Sequence, residues 1–218
     1  MSLKLKALGL GLLAAMAFSA VAVMNASANG SGHFVSEAAH TNIVGSEGGT
    51  HNLHLTNHGL SGEVGCAQDT YTATAEGATV NDLLVTATYG GCTTTGTSTT
   101  VPVDMNGCKY RFTVAGGTTS STEQTVHLEC PAGQSIKVTH PNCTVTVHPQ
   151  TVNTGVTYTH VTENGKNAVT LDSNVQFNTT RHGLCQFIAP TNGTGTLVGS
   201  ATVQGFNTEG TQVSVTAT

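Results

Sequence analysis

The sequence predicts an all-β protein, an antiparallel β-sandwich or a barrel-like sheet, that is stapled by disulfides and preceded by a cleaved helical signal peptide. The chain contains 39 threonines and many valines, and β-branched side chains favour pleated sheet over helix. Short segments of alternating polar and apolar residues recur between clusters of Gly, Asn, Pro and Ser, which is typical of antiparallel strands joined by turns. Six cysteines are an even number, as expected for disulfides in an exported chain.

The first 28 residues have the pattern of a secretory signal peptide. Lys4 and Lys6 form a short basic region, an apolar run covers 8–23, and the small residues at 26–28 suit a signal peptidase. No later apolar run is long enough to span a bilayer. We therefore expect a secreted, extracellular protein without a membrane span in the mature chain. Its predicted organisation is one all-β domain over 29–218, or two β halves near 29–130 and 131–218.

The charge of the mature chain argues against two classes of partner. Residues 29–218 contain five basic and twelve acidic residues, which gives a formal charge of −7. Nucleic acids are bound by clustered Lys and Arg that displace counterions, and the sequence has no such cluster. An anionic membrane surface is disfavoured for the same reason.

Alternating patterns predict the strands in chain order, with almost no helix after the signal peptide. The dipeptide Asn164-Gly165 predicts a tight hairpin, because both of its residues tolerate positive φ. The predicted strands are 70–74, 83–89, 110–114, 125–129, 136–139, 144–147, 156–159, 168–171, 174–177, 200–203 and 212–216. The cluster 45–49, Gly-Ser-Glu-Gly-Gly, is interpreted as a glycine-rich turn, since it lacks the residue order of a serine-hydrolase nucleophile elbow.

Hairpin symmetry suggests how the cysteines pair. Residues that face each other across an antiparallel pair have a constant sum of residue numbers. Cys108 and Cys130 are centred on the turn at 116–121, and Cys66 and Cys92 are centred on 79, within the segment 76–82. The remaining pair is then Cys143–Cys185. Six cysteines allow fifteen pairings in principle, so this pattern is a hypothesis.

The segment "THNLHLTNHGL", 50–60, is the strongest candidate for chemistry in the chain. Its histidines, His51, His54 and His58, would share one face only in a helix, and Asn, Thr and Gly make the segment a poor helix. In a strand, His54 and His58 point to one side and His51 to the other, so at most two could hold one metal ion. We therefore expect these histidines to face solvent in a strand and turn. They are the only metal candidates, and the sequence predicts no cofactor and no catalytic residues.

Seven segments carry a resemblance to a known group of proteins: "TNHGLSGEVGC", "VTATYGGC", "VPVDMNGCKYRF", "VHLECPAGQSIKVT", "CTVTVHPQT", "GVTYTHV" and "GSATVQGFN". In this order they resemble a family of secreted, β-rich, six-cysteine actinobacterial proteins of unassigned function. The most specific block is 103–112. His51, His54 and His58 are not part of the family pattern. The resemblance implies a bacterial extracellular β protein and supplies no catalytic residues.

The sequence thus predicts a secreted, non-catalytic structural or binding protein of the bacterial cell exterior. Its expected partners are components of the cell surface or matrix, whose identity the sequence does not specify. The alternative is an extracellular zinc- or copper-binding protein or enzyme that uses His51, His54 and His58.

Overall fold

The computed structural model describes residues 32–47, 51–57, 60–95, 98–114, 125–152, 155–183 and 192–218. These residues form 19 strands and no helix, so the predicted all-β class is confirmed. The predicted signal peptide lies outside the described residues. None of the described segments is a long apolar helix of the kind that crosses a bilayer. The strands are β1 Phe34–Ser36, β2 Thr41–Glu47, β3 His51–Asn57, β4 Leu60–Cys66, β5 Gln68–Ala75, β6 Thr79–Val80, β7 Asp82–Gly90, β8 Thr93–Thr94, β9 Val103–Asp104, β10 Lys109–Thr113, β11 Thr125–Glu129, β12 Ile136–His140, β13 Cys143–Val147, β14 Gln150–Val152, β15 Val156–Glu163, β16 Lys166–Gly183, β17 Asn192–Phe206, β18 Gln212–Val213 and β19 Val215–Ala217.

One curled antiparallel sheet dominates the described part of the chain. It contains 16 strands, and its main path runs β14-β11-β10-β7-β5-β2-β17-β16-β13-β12-β9. A second sheet, β19-β1-β6, has three strands. The long strand β17 pairs with β16 on one side and with both β2 and β3 on the other. Strands from both halves of the chain therefore share one sheet.

The predicted strands correspond to observed ones, with differences at their ends and in their number. The segments 168–171 and 174–177 belong to one continuous strand, β16. Asn164 and Gly165 have φ values of 52° and 75° and connect β15 to β16 in the tight hairpin that the sequence predicts. The glycine-rich turn predicted at 45–49 is wrong over 45–47, which lie in β2 and pair with β5 and β17.

Threonines of β5 and β7 lie on the outer face of the sheet. Thr70 and Thr72 on β5 are exposed and pair with Thr88 and Thr86 on β7, which are exposed too. The alternate residues of β5, beginning at Asp69, face the interior. The high threonine content thus supplies a polar outer surface that still favours the extended backbone.

The described residues contain two disulfides. Cys66 is bonded to Cys92 and Cys108 to Cys130, which are the pairs that the sequence predicts. The reason is the register: β10 and β11 pair with residue-number sums equal to that of Cys108 and Cys130. Cys185 lies outside the described residues, so the prediction Cys143–Cys185 stays a prediction.

Candidate functional site

The inner face of β17 is unusual because it carries glycines where neighbouring strands carry large side chains. Gly193 and Gly199 are separated by an even number of residues and so point to the same face. A Cβ atom on Gly199 would lie 1.7 Å from Cδ2 of His51, and one on Gly193 would lie 2.7 Å from Nη2 of Arg181. The missing side chains therefore make room for a histidine and an arginine inside the sheet.

His51 lies in the interior and is paired with an aspartate. Its side chain is 4% exposed and that of Asp69 is 0% exposed, and His51 Nδ1 lies 2.9 Å from Asp69 Oδ2, an ion-pair distance whose angles are not those of a hydrogen bond. The second carboxylate oxygen, Oδ1, accepts a hydrogen bond from the backbone N–H of Gly90 at 3.3 Å. The expectation that His51 faces solvent is wrong. Its face of β3 also carries Leu53, which packs against the core, so the alternating pattern contained a signal for the inward orientation.

Three tyrosines extend this buried polar group. The His51 ring contacts the ring of Tyr71 edge to face at 5.6 Å, and Tyr71 contacts Tyr89 at 6.3 Å. The Tyr89 hydroxyl donates to the Tyr110 hydroxyl at 3.1 Å. Burial raises the pKa of Tyr110 to about 12, and it raises the pKa of Tyr89 well above its ordinary value. The phenols therefore stay neutral, and they place hydroxyl groups inside an otherwise apolar body.

The curled sheet encloses a cavity next to this group. The cavity has a volume of about 70 Å³, and a second cavity of about 40 Å³ lies on the other side of His51, Tyr89 and Tyr110, which line both. Most of the lining of the larger cavity is apolar, for example Phe34, Ile43, Leu83, Leu171 and Phe177.

Tyr158 is one of the residues that line the larger cavity, and its side chain ends in a hydroxyl group. It is buried and has no hydrogen-bond partner among the described residues. The Tyr158 ring is held edge to face against Phe34, with centroids 5.5 Å apart. A buried hydroxyl without a partner is costly, so Tyr158 marks a point where a bound molecule would gain a hydrogen bond.

The histidines of the opening motif do not converge. His54 lies on the opposite face of β3 from His51, is partly exposed, and has its Nδ1 3.6 Å from Oε2 of Glu63. His58 lies outside the described residues. Within the described ranges, no group of three or more His, Cys, Asp or Glu side chains could hold a metal ion.

Sequence reasoning did not identify Asp69, Tyr158 or Arg181 as parts of a site. Asp69 appears in the sequence as an isolated carboxylate, and only the pairing of strands brings it to His51. The glycines of β17 and the alternating pattern of β16 are signals in the sequence that point to interior polar groups. Comparisons with protein-family models, curated proteins and solved structures found no match to the chain.

Proposed function

We propose that this chain is a secreted, non-catalytic binding protein that takes one small, mostly apolar molecule into the larger interior cavity. The observation that carries the proposal is a largely apolar cavity that Tyr158 helps to line, together with the buried Tyr158 hydroxyl, which has no hydrogen-bond partner among the described residues. Apolar cavities of this kind stay poorly hydrated and bind apolar molecules in preference to water.

The size and polarity of the cavity restrict the ligand. The volume of about 70 Å³ is less than half that of an engineered cavity of about 150 Å³ that binds benzene. The ligand is therefore smaller than benzene, or only one end of a longer molecule enters the cavity. The hydroxyl of Tyr158 favours a ligand with one hydrogen-bonding group. Small alcohols and ketones belong to this class.

The disulfides support an oxidising compartment for this binding protein. Together with the signal-peptide pattern of 1–28, they favour release to the cell exterior. Cell-surface or matrix components remain the proposed partners of the outer face. A zinc or copper protein has less support, because His51 is engaged by Asp69 and His54 lies on the other side of β3.

A ligand screen with a cavity-filling variant tests the proposal. Acetone, 2-propanol and 2-butanol are added to the purified protein, and binding is followed by calorimetry and by the midpoint of thermal unfolding, Tm. Ala201 lines the cavity, so Ala201→Leu should abolish binding. If Ala201→Leu does not fold, the smaller change Ala201→Val is used, and it should weaken binding. Tyr158→Phe should lower the binding affinity only for ligands that have a polar group.

Val44→Leu is the matched control, because Val44 is 44% exposed and is not among the residues that line the cavity. This variant should bind as the unmodified protein does. Equal binding by the protein and by Ala201→Leu would show that the compounds do not enter the cavity.

A further inference from the structure

Arg181 is a buried arginine that has no charge partner among the residues that the structure describes. The residue is 5% exposed and lies near the end of β16, on the inward face. Neither Nε nor Nη1 has a hydrogen-bond partner in the described part of the chain. The remaining nitrogen, Nη2, lies 3.5 Å from the carbonyl oxygen of Thr194, which is the outer limit of a hydrogen bond.

Among the described residues, the strands that pair with β16 beside Arg181 place no carboxylate against its guanidinium. On β13 it pairs with Val145, a buried apolar residue. Across from the guanidinium is Gly193, whose carbonyl oxygen accepts a hydrogen bond from the Thr179 hydroxyl at 3.2 Å. Burial alone lowers the pKa of Arg181, with no contribution from a carboxylate.

Arg111 is a useful comparison, because its charge is compensated by carboxylates. Arg111 Nη1 donates to Asp82 at 2.7 Å, and its Nε and Nη2 donate to the carboxylate of Glu129 at 2.6 and 3.0 Å. This arginine is more exposed than Arg181 and nevertheless has two carboxylate partners. A buried guanidinium needs compensation more strongly, because leaving water without a counter-charge is costly.

We propose that Arg181 is the centre of an oxyanion-binding site, which takes sulfate, phosphate or the carboxylate of a small organic acid. Arginine suits such ligands because its several N–H groups match the oxygens of a planar or tetrahedral anion. The glycine at 193 leaves room for the guanidinium itself. The site is separate from the cavity, since Arg181 does not line it.

Anion-dependent stability tests this site. Thermal unfolding is measured in sodium chloride and in sodium sulfate at equal ionic strength. Sulfate at ten times its dissociation constant should raise Tm by about 3–6 °C. Arg181→Gln should remove this rise. Arg111→Gln loses the same charge at a paired arginine, so it should keep the rise even if its basal Tm is lower.

Phosphate and acetate distinguish the class of anion. A rise with sulfate and phosphate indicates a tetrahedral dianion, and a rise with acetate alone indicates a carboxylate. The proposal is overturned if no oxyanion raises Tm above the chloride reference, or if Arg181→Gln responds as the unmodified protein does.

A second measurement applies if Arg181→Gln does not fold. The Nε–H resonance of Arg181 in the unmodified protein should shift on titration with the active anion and stay in place with chloride. An unchanged resonance contradicts the proposal. Because the cavity ligands are uncharged and do not use Arg181, failure of the anion site leaves the proposed function intact, and the reverse also holds.

Discussion

His51 and Arg181 both lie over glycines of β17, and they differ in their partners. His51 lies over Gly199 and has Asp69 at 2.9 Å, whereas Arg181 lies over Gly193 and has no carboxylate partner in the part of the chain that the structure describes. The same structural device, a missing side chain, thus holds one group that is internally paired and one that is not. The difference teaches that burial by itself does not identify a binding site, and that the absence of a partner is the informative observation.

Removal of the aspartate should have the largest effect. In Asp69→Ala, the His51 ring loses the carboxylate beside Nδ1, and the N–H of Gly90 loses its acceptor. Breaking a buried pair from one side costs about 3–5 kcal/mol, so we expect the free energy of unfolding in urea to fall by about that amount.

A double-mutant cycle with His51→Phe supplies the control for this prediction. The double variant His51→Phe, Asp69→Ala should be more stable than the sum of the single losses predicts, since it leaves no unpaired partner. Additive losses would contradict a direct coupling between the two side chains.

Substitutions at the two glycines should differ in cost. In Gly199→Ala the new methyl group collides with the buried ring of His51, and overpacking of this kind costs about 1–3 kcal/mol. In Gly193→Ala the methyl group meets the end of a long arginine side chain, which can move, so the loss should be under about 1 kcal/mol. Chemical denaturation of both variants measures the difference, and equal losses would show that Arg181 is held as rigidly as His51.

Alkaline pH should lower the free energy of unfolding, because the buried Tyr110 ionises. The pKa of Tyr110 is about 12 in the folded protein and 10.0 in its ordinary state. Because the folded state holds the phenol proton more tightly, its contribution to stability is complete below pH 10 and is lost as the pH rises through about 12. Unfolding curves across this range, with tyrosinate absorbance, measure the loss. Tyr110→Phe should make the decline shallower, and an unchanged slope would count against the buried phenol.

The smallest effect is expected at the arginine. Arg181→Met removes an unpaired buried charge but keeps much of the apolar side chain, so in buffer without oxyanions the protein should be unchanged or about 1 kcal/mol more stable. Urea unfolding in chloride measures this change. A loss of 3 kcal/mol or more would mean that Arg181 already has a strong partner within the chain, and the comparison with His51 would then fail.

Much of the fold follows from local patterns. The alternation of residues in β5, β7 and β11 identifies the strands, and the constant residue-number sum predicts both Cys66–Cys92 and Cys108–Cys130, because hairpin registers are local. The relation of β17 to β2 and β3 could not be predicted, since the paired residues are 138 to 164 positions apart in the chain.

Only part of the candidate site depends on those distant pairings. The strand period places His51 opposite His54, but the choice of the buried face requires the neighbours of β3. Asp69 is brought near His51 by a local pairing, because His51 pairs with Cys66 across β3 and β4 and Asp69 follows Cys66 by three residues. Arg181 follows Val175, Phe177 and Thr179 on one face of β16, so its inward position could have been inferred, whereas its lack of a carboxylate could not.

The glycine spacing of β17 has a consequence for how such proteins diversify. The inner face of β17 carries no ionisable side chain, yet its glycines determine which ionisable side chains the neighbouring strands can place inside. One new methyl group at such a glycine would displace His51 or Arg181. The glycine positions of β17 therefore determine which polar side chains the interior can hold. A search for related sites should begin with such glycines and then turn to the functional side chains.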